Sequence, residues 1–393
     1  MKKNARRLEN LVSWLDNASP ATQAACPILV IDDEADQASV NTAKEKAERT
    51  KINNLLVQLL SLPKAAYIGY TATPFANLFV DPKFPEDVYP RDFIVDLPQP
   101  ADYFGPERLF VRERLEHDDD SPDDGLDVIR RIPEEDLKVL QPPTKRADRD
   151  SFAAMITPTM KEAVRYFVLA TAARRARGQQ GHSTMLVHTT SLTSIHMKYE
   201  APVKGLRDEL LSSLQTHDQS VLADLRALWD RERAAVTAES LGEIPVAFED
   251  LESHLVGVLE ELDVVIDNYR SLERLHYRDE PRVVIVIGGN TLSRGLTLEG
   301  LVVSYFARAT NAYDTLLQMG RWFGYRRGYQ DLPRIWISEQ LEEWFRHLAT
   351  VEAELRIDVA RYEDDHVTPI NFGARIRTHP KLAITSALKM RHA

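Results

Sequence analysis

Three acidic residues directly follow an apolar run in ILVIDDEADQAS, and that position gives the last two chemistry. A strand over Ile28–Ile31 would deliver Asp33 and Glu34 to its carboxyl end, where open α/β sheets place ligands. There Asp33 can hold Mg2+ through its water shell, and Glu34 can orient and deprotonate an attacking water. Asp36 can tie the turn to another segment. A strand running into an acidic helix N-terminus, favourable for the helix dipole, is the plainer alternative. GYTATPFAN follows the next apolar run and sets Thr71 and Thr73 beside the acidic turn on the same sheet edge. Their hydroxyls can both donate to and accept from carboxylates; a capping turn before Pro74 is the competing role. Acids and hydroxyls on successive strands favour a site.

The second half supplies a complementary set. GGNTLSRGLTLEG, over Gly288–Gly300, is a glycine-rich loop after an apolar run, with Gly289, Arg294 and Gly295 in it. Such loops let backbone N–H groups approach phosphates. In DTLLQMGRWFGYRRG, Gln318, Arg321 and Arg326 could face a nucleotide, an arginine there stabilising charge on a transferred phosphoryl group. A solvated basic turn is the alternative for Arg326 and Arg327, and core packing is the expected role of Trp322 and Phe323. His182, His188 and His196 flank one strand without the spacing of metal ligands, and read as structural or solvent-facing.

The elements that would carry these residues alternate. Helical spacing covers 6–15 and 52–62, with strands at 28–31, 65–70 and, by its apolar content, DFIVDL at 92–97. A helix over 160–173 precedes a strand at 184–190. Leu/Glu/Arg-rich helix then occupies about 203–280, before strands at 283–289, 301–307 and 334–338. Uniformly apolar strands separated by helices predict parallel sheets covered on both faces. The expected organisation is an α/β unit over 1–100, an acidic linker over 101–158, and a second α/β unit over 159–345 with a helical insertion at 203–280. Residues 346–393 would begin a further region.

Composition bounds the function. The 393 residues are 44% hydrophobic and 28% charged, a globular balance. The single cysteine, Cys26, excludes an internal disulfide or a multi-cysteine metal site. No apolar run approaches a bilayer span, and no signal-type stretch follows the basic N-terminus, so a soluble, cytoplasmic protein without membrane association is expected. The net charge of −11 is unevenly spread: residues 101–150 hold 15 Asp/Glu against nine Lys/Arg, whereas 282–334 hold seven Arg against three Asp/Glu. Binding follows the local patch, so nucleic acid remains an eligible partner.

Taken in order, DEAD (33–36), TAT (71–73), SRGLT (293–297) and QMGRWFGYR (318–326) resemble motifs two, three, five and six of superfamily-two helicases. More narrowly, LVIDDEADQASVNT, YIGYTATPFAN, LSRGLTLEGLVVSYFAR and LLQMGRWFGYRRG resemble the Z1-domain proteins, described as endonucleases. The resemblance spans most of residues 1–340 and implies paired RecA-like domains, the first truncated, that bind ATP and Mg2+ and act on nucleic acid, DNA above all. It also suggests a setting in restriction or phage defence, with other defence components as partners. Residue by residue, it implies Asp33 and Glu34 as the Mg2+ and water-activating pair. Asp36, Thr71, Thr73, Gly289, Arg294, Gly295 and Gln318 would lie around the nucleotide, and Arg321 in the sixth motif. Thr189, Thr190, Ser191 and Thr297 would lie along the nucleic acid. The family's second arginine of the sixth motif falls on Gly324, and Arg326 is taken as its substitute.

One part is missing. Residues 1–68 contain no glycine, and no G-x-x-x-x-G-K-[ST] occurs anywhere in the sequence. The expectation is a motor region of a Z1 protein whose phosphate loop lies outside these residues, inactive alone. A metal-dependent endonuclease using the acidic turn is the second reading, and a non-catalytic scaffold the third.

Overall fold

The computed structural model describes residues 3–43, 49–83, 88–100, 102–115, 125–268, 271, 275–277, 280–289, 297–308, 310 and 312–385. It is a mixed α/β structure that divides into two compact units. One comprises Met1–Pro98, Thr310–Gln318 and Val351–Ala393; the other comprises Gln99–Ala309 and Met319–Thr350.

The first unit holds two parallel strands, β1 (Ile28–Asp33) and β2 (Ala65–Tyr70), in register from Ile28 opposite Ala65 to Asp33 opposite Tyr70. The helix Lys51–Leu60 makes the crossover between them. Its Leu55 and Leu59 meet Leu8 and Val12 of the helix Ala5–Asp16 in a small apolar cluster. The expected two-sided burial is not found here. Leu29, Ile31 and Tyr70 are exposed, because side chains alternate along a strand and the described residues cover only one face of this pair. DFIVDL is not a strand either: residues 92–97 make no ladder, and Phe93, Val95 and Leu97 are exposed. A short apolar run suggests a strand, but pairing requires a neighbour, and none is present for this segment among the described residues.

The second unit is built on six parallel strands in the order β3-β8-β7-β4-β6-β5. These are β3 (Ile129–Arg131), β4 (Ser183–His188), β5 (Leu262–Asp267), β6 (Val283–Gly288), β7 (Leu301–Phe306) and β8 (Arg334–Ile337). Every residue of β4, β6, β7 and β8 is buried, the condition that lets a parallel sheet persist. The helix Pro158–Ala176, capped by Thr157 accepting from Met160 N–H, is buried along most of its length. Its Met160, Val164 and Phe167 share the main core with Met185, Ile285 and Trp336. Leu186, Val284, Val286 and Leu301 face a second cluster with Leu275 and Leu298.

Two expectations about this unit need correction. The acidic segment is not merely a linker: Phe104, Phe110 and Val128 are buried, β3 is the sheet's edge strand beside β8, and the helix Glu134–Leu140 packs on the core. The 203–280 region is not all helix: β5 lies in it and pairs with β6. Glu232, from the helix Gln219–Ala235, locks both additions to the sheet. It is fully buried, accepts two 2.9 Å bonds from Arg130 Nε of β3 and one of 2.8 Å from Arg334 Nε of β8. Arg334 Nη2 also donates to the Glu232 carbonyl at 2.6 Å. Burial alone would push the Glu232 carboxyl up, but the hydrogen bond from Arg130 and the charge of Arg334 outweigh it and hold it down to about 2.

Removing one member of a buried ionic cluster strands the others. Glu232→Ala is therefore expected to destabilise this unit by about 3–5 kcal/mol in urea unfolding. Because the folded pKa lies below the unfolded one, the contribution of Glu232 is full above the unfolded carboxyl range and fades as pH falls toward 2. The wild-type protein should lose stability over that window and the variant should lose less. Identical acid limbs would refute this role.

Candidate functional site

The acidic turn of the first unit is fixed from beneath. Asp32, next to last in β1, is buried, while Asp33 and Glu34 are exposed. Asp32 pairs with Lys3 Nζ at 2.7 Å and accepts from Tyr67 Oη at 2.7 Å and from Ser39 Oγ. Lys3 Nζ also donates to the Glu34 carbonyl and to Ser39 Oγ, each at 2.9 Å. Burial, with the Asp32 charge behind it, pushes the Tyr67 hydroxyl far up, so it stays a donor. The turn is pressed against β2: Ala35 N–H donates to the Tyr70 carbonyl at 3.0 Å, and a Cβ at Gly69 would lie 2.9 Å from the Ala35 Cβ. Small side chains at both positions permit that approach.

Glu34 has φ of 52°, the left-handed region that costs an ordinary residue about 1–2 kcal/mol. Such strain persists where surrounding contacts over-determine it, and it concentrates at functional positions. Here the contacts are the Lys3 bond to the Glu34 carbonyl, the 3.0 Å bond from Glu34 N–H to Asp33 Oδ1, and Gln37 Nε2 donating to Glu34 Oε2.

Asp36 gathers three distant segments. It is buried and accepts from Thr71 Oγ1 at 3.0 Å, Thr73 Oγ1 at 3.2 Å and Gln318 Nε2 at 3.2 Å. Gln318 Nε2 is also 3.0 Å from Thr73 Oγ1, and Thr73 N–H donates to Thr71 Oγ1 at 2.9 Å. Gln318 sits on the short helix Tyr313–Met319, whose buried Asp314 accepts from Thr385 Oγ1 at 2.8 Å. The carboxylate, the two hydroxyls and the amide singled out in the sequence thus form one network within the first unit.

The remaining residues lie in the second unit. Thr189 and Thr190 are buried just past β4; Thr190 Oγ1 accepts from Leu192 N–H, and its carbonyl from His196 Nε2 at 2.7 Å. Ser191 and Thr297 are exposed. Gly289, just past β6, lies against an imidazole: a Cβ there would come within 2.8 Å of Cε1 of the buried His196, so close packing favours glycine. Arg294 and Gly295 lie outside the described residues. Trp322 is core, edge-on to Phe306 at 5.2 Å.

The basic turn also explains the departure at Gly324. Its φ is 127°, accessible to glycine and strained for arginine, and it pairs with Phe104 through bonds of 2.9 and 3.1 Å. Arg326 does not stand in as a projecting cation. It is buried and donates to the carbonyls of Tyr325, Trp322 and Arg321 at 2.7, 3.1 and 3.3 Å, binding its own turn together. Arg321 is half-buried. Sequence reasoning missed Lys3, Ser39 and Tyr67; an acid inside an apolar strand, Asp32, was the available hint that buried partners existed.

For Mg2+, the turn fits in part. Asp33 and Glu34 are exposed carboxylates at a strand end, suited to an ion that keeps several waters. For the phosphates of a nucleotide the fit fails, since the sequence has no phosphate loop and Lys3 is engaged by Asp32, Ser39 and the Glu34 carbonyl. Among the described residues no group of three or more His, Cys, Asp or Glu could hold a metal ion, and no helix is long and apolar enough to cross a membrane.

The two acids should differ on substitution. Glu34→Gly relieves the left-handed strain and should leave the urea midpoint unchanged or raise it. Asp36→Ala orphans several buried donors and should cost about 1–3 kcal/mol. Equal destabilisation by both would show that the turn is not built as described.

A search of curated proteins finds no match to the chain. The family model described as the Z1 domain matches residues 159–383, more than half of the sequence, beginning within the helix Pro158–Ala176 and ending beyond the basic turn. On that match, the chain belongs to the Z1 domain family.

Proposed function

We propose that this chain forms the ATP-dependent, helicase-like motor region of a Z1 protein, with two RecA-like units acting on nucleic acid. The observation that carries the reading is the bond set joining Asp36 to Thr71, Thr73 and Gln318. It links the acidic turn, the Thr-Ala-Thr turn and the Gln-Met-Gly-Arg segment, the three stretches that resemble motifs two, three and six. A shift of the acidic turn would move Asp36, and through it the hydroxyls and the helix bearing Gln318, three residues before Arg321.

In that reading Asp33 would hold metal-bound water, and Glu34, exposed at the strand end, would take the proton of the attacking water. Bound ATP with Mg2+ supplies the transferable phosphoryl group and bridging charge. Arg321 takes the charge-stabilising role of the sixth motif. These residues carry no phosphate loop, so the chain by itself would hydrolyse little ATP. DNA as the polymer, and restriction or phage defence as the setting, follow from the family resemblance alone.

The test is ATP hydrolysis with and without DNA, by this chain and by the same chain joined to a segment that supplies a G-x-x-x-x-G-K-[ST] loop. The joined protein should hydrolyse ATP and be stimulated by DNA. Glu34→Gln should lower kcat by about 100- to 10,000-fold. Gln318→Ala should abolish the stimulation while sparing most basal hydrolysis. Mg2+-dependent nicking of plasmid without ATP, lost in Glu34→Gln, would replace the motor by an endonuclease that uses the acidic turn. Neither activity, with stable partner binding, would leave a scaffold.

A further inference from the structure

The basic turn of the second unit presents two side chains that its own packing does not consume. Burial alternates along it: Tyr325 is exposed, Arg326 buried and Arg327 exposed. Arg326 grips the inside of the turn, and its two neighbours are left on the outside. The backbone that carries them is anchored on both sides. Gly324 exchanges bonds of 2.9 and 3.1 Å with Phe104, and Arg326 Nη1 donates to the Tyr325 carbonyl at 2.7 Å. Beyond Arg327, Gln179 Nε2 donates to the Gly328 carbonyl at 2.5 Å. Gly328 has φ of 82°, and a Cβ there would collide with Gln179 Nε2. A turn fixed in this way needs little further ordering when a ligand meets its outer side.

Trp322 of the same run is core, but Tyr325 is 48% exposed. Among the described residues of the second unit it is the only Phe, Tyr or Trp left exposed. Tyr103 meets it at 5.8 Å between ring centres with the planes at 65°. Such an edge-to-face contact takes at most one face of a ring, so Tyr103 leaves at least one face of Tyr325 free. Arg327, with 81% of its side chain exposed, pairs with Asp102 through Nε at 3.0 Å. Its Nη1 and Nη2 make no hydrogen bond to the described residues. An exposed ion pair is weak, so a phosphate can share this guanidinium with Asp102. Arg108, which lies over the Phe104 ring at 4.4 Å, adds a cation with no carboxylate partner among the described residues. An open aromatic face beside guanidinium donors matches one nucleotide of a strand, the base on the ring and the phosphate on the cation.

We propose that Tyr325 stacks a base of single-stranded nucleic acid while Arg327 holds a phosphate of the same strand. This rests on the nucleic-acid half of the proposed function and not on hydrolysis, so the test contains no hydrolytic step. Anisotropy of a labelled oligothymidylate with the full chain, over a range of KCl, is compared with that of an abasic strand of equal length. The wild-type chain should bind the thymidylate about tenfold more tightly than the abasic strand. Tyr325→Ala should erase that preference and leave the slope of log affinity against log salt unchanged, whereas Tyr325→Trp should keep the preference. Arg327→Gln should keep the preference and lower the slope by about 0.7, the share of one single-strand phosphate. Both side chains are exposed, so the urea midpoints of these variants should match the wild type. A base preference that survives Tyr325→Ala, or no binding of the thymidylate by the folded wild-type chain, would overturn the proposal. Competition by ATP that disappears in Tyr325→Ala would put a free nucleotide on the ring and overturn the assignment to a strand. A joined protein without ATPase activity that still shows the Tyr325-dependent preference would sink only the motor reading.

Discussion

The first unit depends on how it satisfies the buried carboxylates of Asp32 and Asp36. A buried carboxylate is tolerated only where donors replace its lost water. Asp32 is met by an ammonium and two hydroxyls, and Asp36 by two threonines and an amide drawn from the far end of the sequence. Two strands and a small apolar cluster form a modest core for this turn. The hydrogen-bonded acids supply the direction that packing does not. They fix the backbone on either side of Asp33 and Glu34, which is how a left-handed glutamate stays in place at a strand end.

The second unit uses the same device at larger scale. Glu232 joins an edge strand from the acidic segment, a helix from the long insertion and a strand near the end of the sheet. Those pieces are about a hundred residues apart along the chain, and none would look essential by itself. Once the ionic cluster is closed, β3 is held beside β8, and the sheet gains an edge that its own three residues could hardly secure. This is why Val128, Ile132 and Leu140 of the acidic segment are buried although its composition argues for solvent.

The parts of this fold that were legible beforehand are those where composition and pairing agree. VVIVIG, LVVSYF and RIWI are buried on both faces, so continuous apolar runs mark them without ambiguity. β5 was hidden because LDVVID follows a Leu/Glu-rich helix directly, with no glycine or proline to announce the change. DFIVDL misled in the opposite sense, since apolar content describes one segment and says nothing about a strand neighbour. In the site, Asp36, Thr71, Thr73 and Gln318 could be named from motifs, whereas Lys3 and Tyr67 could not: their roles arise only when a turn lands on them. At Gly324 the departure from the family pattern looked like a lost arginine, and the backbone shows why glycine is required.

A common logic connects the two kinds of site. In each, buried ionisable groups are used for geometry, held by hydrogen bonds to their neighbours. Asp32 and Asp36 are consumed by donors, which leaves the exposed Asp33 and Glu34 as the groups open to metal or water. His188 and His196 are kept neutral mainly by burial, and His188 Nε2 lies 3.3 Å from Arg308 Nη1. The acidic net charge of the chain is then a poor guide to what it binds, because the charge that meets a ligand is the one the interior has not already used.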